Sequence, residues 1–230
     1  MPSPYPVNYN ALQIHATKRK GDLTMTVSYT FGKALADASS NSDNLEDPFN
    51  RSFNYGPTSF DLRQILVTTH TWRLPFFRRA HSLPRHILRA WELSGITRWQ
   101  TGRHFTPVGN TSIGTRRADY TGGAIELPGG ERGNVRWFNT EAFKPAPDDR
   151  RGTAGIGMIE GPGRYSWDLT LRKKLPITEK VNVQLQADFF NAFNQVLPGG
   201  LEVNISSNNR GSLSTVGPGR NIQFGFKLTF

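Results

Sequence analysis

The chain has 230 residues, enough for one large domain, and no cysteine, so disulfides and cysteine-ligated metal are excluded. Its hydrophobic content is 36% and its mean hydropathy -0.50; no apolar run reaches the length of a membrane-spanning helix. The net charge of +10 raises nucleic acid as a partner. No helix-turn-helix or zinc-finger pattern accompanies it, and the basic residues are scattered (Lys18-Arg19-Lys20, Arg78-Arg79, Arg116-Arg117, Arg150-Arg151, Arg172-Lys173-Lys174). A solvated basic surface is therefore expected, with no nucleic-acid partner; acidic lipid headgroups suit such a surface equally.

The opening Met1-Pro2-Ser3-Pro4-Tyr5-Pro6 carries neither the basic nor the apolar region of a signal peptide. Strand-like alternation then begins. Leu12, Ile14 and Ala16 face away from Gln13, His15 and Thr17, and a tight basic turn with Gly21 follows at residues 18–22. Leu23, Met25, Val27, Tyr29 and Phe31 alternate with Thr24, Thr26, Ser28 and Thr30. Residues 34–58 read as a polar loop. Residues 60–75, with Leu66, Trp72 and Leu74, and residues 90–101, with Trp91, Leu93 and Trp99, give two less regular strands across a moderate link. A very long Gly-, Pro- and Arg-rich loop is expected over residues 104–162.

Beyond it, Tyr165, Trp167, Leu169 and Leu171 define one strand and Val181, Val183, Leu185, Ala187 and Phe189 the next, joined by a short turn. Residues 195–219 are again a long loop. The chain then closes on Ile222, Phe224, Phe226, Leu228 and Phe230, alternating with Gln223, Gly225, Lys227 and Thr229. Period-two alternation gives each strand one apolar and one polar face. This makes about seven strands, most of them ten residues or longer. Globular strands average about 5–6 residues, whereas a tilted strand crossing a bilayer needs about 9–11.

Short and long connections also alternate, as they do in barrels with short periplasmic turns and long extracellular loops. A structureless link of some 60 residues is foreign to a compact soluble domain. The fold expected is therefore all-β: an antiparallel transmembrane β-barrel segment spanning residues 1–230 with its last residue in the periplasm. The lipid-facing or interfacial aromatics would be Tyr29, Phe31, Trp72, Trp91, Tyr165, Trp167, Phe189, Phe224 and Phe226. Tyr29, Phe31, Tyr165, Trp167 and Phe189 would lie near the outer interface, and Trp72, Phe76, Trp91 and Phe230 near the inner one. A soluble β-sandwich, its alternating strands facing an interior core, is the alternative.

Little points to catalysis. His15, His70, His81, His86 and His104 lack zinc-type spacing, and no Gly-x-Ser-x-Gly elbow or P-loop occurs. Asp43, Glu46 and Asp47 are carboxylates of the kind that hold calcium, but they depart from the EF-hand spacing and read as a solvated loop. Asp188 and Arg172, on polar faces of adjacent strands, are candidates for a lumen salt bridge. Neither an enzyme nor a cofactor is expected.

The end of the chain, with Gln223, Gly225, Leu228 and Phe230 as its marked positions, resembles the signal by which bacterial outer-membrane barrels are recognised for assembly. Several stretches resemble the C-terminal barrel of TonB-dependent, Oar-like outer-membrane receptors of acidobacterial type. They are Tyr9-Asn10-Ala11-Leu12-Gln13, Ser28-Tyr29-Thr30-Phe31-Gly32-Lys33, Leu93-Ser94-Gly95-Ile96-Thr97, Arg136-Trp137-Phe138-Asn139-Thr140-Glu141-Ala142-Phe143, Gly161-Pro162-Gly163 and Gln186-Ala187-Asp188-Phe189-Phe190-Asn191-Ala192-Phe193-Asn194. The resemblance implies a larger barrel of 22 strands with an N-terminal plug and a TonB-contacting segment, of which this sequence holds about the last third. The partners it implies are outer-membrane lipid, the barrel-assembly machinery, the remaining strands and plug, and an external ligand. It also implies a location in the bacterial outer membrane. A seven-stranded open sheet leaves two unpaired edges. At several kcal/mol per unsatisfied backbone group in lipid, these would cost on the order of tens of kcal/mol, against a typical stability of about 5–15 kcal/mol. The chain is therefore expected to be a fragment that does not transport alone.

Overall fold

The computed structural model describes residues 7–39, 45–75, 90–215 and 217–230. Seven long strands dominate it: β1 Val7–Lys20, β2 Leu23–Ala36, β3 Gln64–Arg73, β4 Trp91–Gln100, β5 Arg164–Pro176, β6 Asn182–Phe190 and β7 Asn221–Thr229. They lie side by side in chain order in one sheet, each pair antiparallel. The seven expected strands are all present, and their lengths of 9 to 14 residues suit a bilayer crossing.

Local chemistry sets the hairpins. Lys20 pairs with Leu23 across the two residues Gly21 and Asp22, and Gly21 has φ 65°, as a II′ turn requires of its first central residue. At the same end of the sheet, Ile177 and Thr178 both donate backbone N–H to the Val181 carbonyl and close the β5–β6 turn.

The other end is different. The described residues of the connections 37–63, 101–163 and 191–220 fold together into a cap. Within it Val108–Thr111 pairs with Gly114–Arg117, Asp119–Tyr120 with Phe143–Lys144, His104–Phe105 with Ile159–Glu160, and Pro198–Leu201 with Leu213–Thr215. A short helix, Arg51–Asn54, is capped by the Asn50 side chain. Residues 104–162, a long loop whose order the sequence leaves open, are thus ordered. Alternation missed this because the strands here are two to four residues long and the apolar residues that pack are far apart in sequence.

The core of the molecule sits in this cap. Ala118, Phe138, Ala142, Phe143, Ala154, Ile159, Leu201 and Ile205 form one buried cluster, with Phe138 and Phe143 edge to face at 6.0 Å between centroids. Apart from Ala34 and Ala36 at the cap end of β2, every buried hydrophobic among the described residues lies in the long connections. Two backbones meet closely where the cap joins the sheet. A Cβ at Gly102 would fall on the Gly161 carbonyl, and one at Gly161 would strike the Phe105 ring. Glycine alone permits that approach.

Candidate functional site

The register brings the alternating apolar residues of the strands to one face, with Ile65, Val67 and Ile96 on the other. One row across the sheet reads Tyr29, Leu66, Trp99, Tyr165; the next but one reads Met25, His70, Gly95, Leu169, Phe189, Ile222. Below them run Leu23, Trp72, Leu93, Leu171, Ala187 and Phe224, then Trp91, Lys173, Leu185 and Phe226. A slip of one residue in any pair would turn a whole strand over. Gly95 leaves room for its neighbours: a Cβ there would meet Leu169 Cδ2 at 2.7 Å and His70 Cε1 at 2.8 Å. Lys173 intrudes on this face but holds its ammonium over the Trp91 ring, 5.5 Å from the centroid.

Among the described residues, nothing forms a second layer on the apolar face of the sheet. Phe224 is 79% exposed, Phe226 68% and the terminal Phe230 92%. A β-sandwich would cover these residues with a facing sheet; among the described residues no such sheet exists. All expected lipid-facing aromatics lie on this face. Two further groups belong with them. Trp99 completes the row with Tyr165, and Phe193, just past β6, stands edge-on to Trp167 at 5.6 Å. Trp99 was visible in the alternation of β4. Phe193 was not, because Asn191, with φ 50°, ends the strand and turns the chain.

The opposite face is polar and cross-linked. Arg172 donates to Glu92 at 2.9 Å and to Gln186 at 3.2 Å. Gln186 donates to both carboxylate oxygens of Asp188, at 3.0 and 2.8 Å, and Thr170 donates to Asp188 at 2.6 Å. The direct Arg172–Asp188 salt bridge expected from the sequence is replaced by this relay. The register sets Arg172 opposite Gln186 and Asp188 opposite Thr170, so the two charges are diagonal and Gln186 stands between them. A hydroxyl band adjoins the relay: Thr24, Thr71, Ser94 and Thr170 lie in one cross-strand row.

Arginines staple the cap. Arg117 is buried and donates to Phe53 O at 2.8 Å and Asn54 Oδ1 at 3.0 Å, with its guanidinium 3.9 Å from the Phe53 ring centroid. Desolvation lowers its pKa, and Glu46 partly offsets this. Arg150 clamps Asp119 through two bonds of 2.7 Å, and that hydrogen bonding holds the Asp119 carboxyl below the usual carboxylate range. Arg151 pairs with Asp47 at 2.9 Å. Three of the arginines expected on a solvated basic surface are therefore ion-paired within the fold. The same pairs correct the reading of residues 43–47 as a solvated loop, since Glu46 and Asp47 are taken by arginines; Asp43 lies outside the described residues. So do His81, His86 and Phe76. Among the described residues no three His, Asp or Glu side chains group as metal ligands.

A long-stranded antiparallel sheet with one bare apolar face, one networked polar face and alternating short and elaborate connections is the wall of a membrane β-barrel. Residues 4–223 match the family model described as an outer membrane beta barrel domain, and the chain belongs to that family. Membership places it in the bacterial outer membrane. No curated protein and no solved structure matches it.

Proposed function

We propose that this chain forms part of the wall and the outer cap of a TonB-dependent, Oar-like receptor. Its strands pair with further strands to close a larger barrel, and the chain alone does not transport. The observation that carries this reading is where the hydrophobic core lies. The buried cluster is in the long connections and the strands carry a bare apolar face. A barrel wall needs lipid outside it, and a packed cap is far more than a set of turns requires. Such a cap suits recognition of an external ligand.

On this reading the polar relay around Arg172 lines a lumen, and the chain binds and admits rather than catalyses. Gln223, Gly225, Leu228 and Phe230 address it to the assembly machinery. The stretches quoted above, foremost residues 186–194, support the TonB-dependent type. The test is in vivo cross-linking followed by capture from solubilised outer membranes with an antibody to β7. The expected result is co-recovery of TonB with a polypeptide much larger than 25.7 kDa. A membrane-inserted species of 25.7 kDa without TonB would overturn the proposal.

A further inference from the structure

Among the described residues, three buried side-chain atoms without a hydrogen-bond partner converge where the cap joins the wall: Asp61 Oδ2, Arg63 Nε and His104 Nε2. His104 Nε2 and Arg63 Nε each lie 3.5 Å from that one carboxylate oxygen, within ion-pair reach and short of a formed hydrogen bond. The Asp61 side chain is 1% exposed and that of His104 13%.

The cluster joins three segments. Asp61 and Arg63 end the β2–β3 connection, and Asp61 Oδ1 accepts the backbone N–H of Ala34, at the cap end of β2, at 2.7 Å. His104 belongs to the β4–β5 connection, where it pairs with Glu160. Gly157 positions the ring. Its φ is 64°, and a Cβ there would lie 3.0 Å from the Pro57 carbonyl oxygen and 3.1 Å from His104 Cβ. Glycine is what lets its carbonyl oxygen come within 3.0 Å of His104 Nδ1.

The partners place the protons. A carbonyl oxygen only accepts, so His104 Nδ1 carries a proton. Nε2 faces a carboxylate oxygen. Were Nε2 bare, two buried acceptors would oppose each other with no donor between them, which native interiors avoid. Asp61 is the anion of the pair, because the Ala34 N–H and the Arg63 guanidinium both approach it. The proton between Asp61 and His104 therefore belongs to the ring. The other charged groups around the ring are engaged elsewhere or face solvent. Asp37, Glu46, Arg116 and Arg117 line the cavity beside it. Of these, Asp37 is bonded by Arg51 at 3.0 Å and Glu46 lies 3.5 Å from Arg117. Glu160 is exposed.

We propose that His104 is an imidazolium and that its contact with Asp61 is a proton-operated clasp, which fastens the β4–β5 connection to β2 and the β2–β3 connection. Protonated, Nε2 donates to Asp61 and the cap is held to the wall. Deprotonated, the same nitrogen becomes a second acceptor against a buried carboxylate, so the clasp weakens as pH rises. The inference goes beyond the receptor reading and does not depend on it.

It is tested on the protein extracted from outer membranes, by ring-nitrogen NMR of His104, assigned through its proximity to Gly157. Amide exchange, corrected for the intrinsic effect of pH, is followed in parallel. Both ring nitrogens should carry protons at about pH 5, the acid end of the histidine range. Gly157 N–H bonds Thr106 Oγ1 and Gly161 N–H bonds the Arg103 carbonyl. As the Nε2 proton is lost, protection at both should fall about tenfold or more, the size of one charged hydrogen bond, while Thr68 and Thr97 in the central strands stay protected. Asp61→Asn puts an amide where the carboxylate stood, and its N–H donates to the neutral ring, so protection should no longer change with pH. A bare Nε2 at the acid end, protection that does not follow the ring proton, or the same pH dependence in Asp61→Asn would each overturn the proposal. The first two readings come from the unaltered protein and decide the matter even where the variant fails to fold.

Discussion

At the scale of the residue, the cap is held by ion pairs that join positions far apart in sequence. The clearest is Asp119, whose side chain is 3% exposed and which takes two bonds from Arg150 and one from the Thr153 N–H. Its carboxyl is held below the ordinary carboxylate range, first by the Arg150 hydrogen bonds. A carboxyl with a depressed folded pKa contributes stability that is fully present above its unfolded value of about 3.9 and is lost as pH falls through the folded value. The cap should therefore loosen as pH drops below about 4, seen as faster amide exchange at Ala118 and Phe143 while the sheet amides are unchanged. Asp119→Asn should remove that part of the acid sensitivity and make the cap less protected at pH 7. Equal acid dependence in the parent and the variant would show that Asp119 does not anchor the cap.

At the scale of the element, alternation was nearly sufficient for the sheet and nearly silent for the cap. β1, β2, β5, β6 and β7 were legible because each repeats apolar and polar residues over at least four positions, and the register then adds the less regular β3 and β4. In β3 the polar face carries Ile65 and Val67, which blurs the period. The candidate site was legible to the same extent: the nine aromatics fall on one face, together with Ile222 and Leu228 of the terminal strand. The Gln186 relay, the cap's ion pairs and the pairing of Asp119–Tyr120 with Phe143–Lys144 depend on contacts between distant segments, for which no local pattern exists. The two faces make opposite predictions in a membrane. Nitroxide labels at Tyr29, Trp167 and Phe226 should be relaxed more by oxygen than by a water-soluble nickel chelate, and labels at Thr26, Ser94 and Gln184 the reverse. The same preference at all six positions would mean the bare apolar face does not meet lipid.

At the scale of the whole molecule, the topology constrains how the sheet becomes a barrel. β1 starts at the cap, where Val7 pairs with Ala36, and runs toward the short turns. β7 starts beside the end of β6, where Asn221 pairs with Phe190, and runs the same way. Joining β1 to β7 would make a parallel pair in a sheet that is otherwise wholly antiparallel. Leaving both edges open in lipid would cost several kcal/mol for each bare backbone group. Antiparallel closure requires an odd number of further strands between the two edges, whichever polypeptide supplies them. The lack of native cysteine makes this measurable with introduced pairs. Ala16→Cys with Val27→Cys, directly opposed in the β1–β2 register, should cross-link readily in outer membranes, because opposed Cβ atoms lie about 4.5–5.5 Å apart. Leu12→Cys or Ile14→Cys in β1 combined with Phe226→Cys in β7 should not, since other strands separate them. Efficient β1–β7 cross-linking would mean that seven strands close on themselves through a parallel seam. The larger barrel, and with it the receptor built around it, would then have to be abandoned.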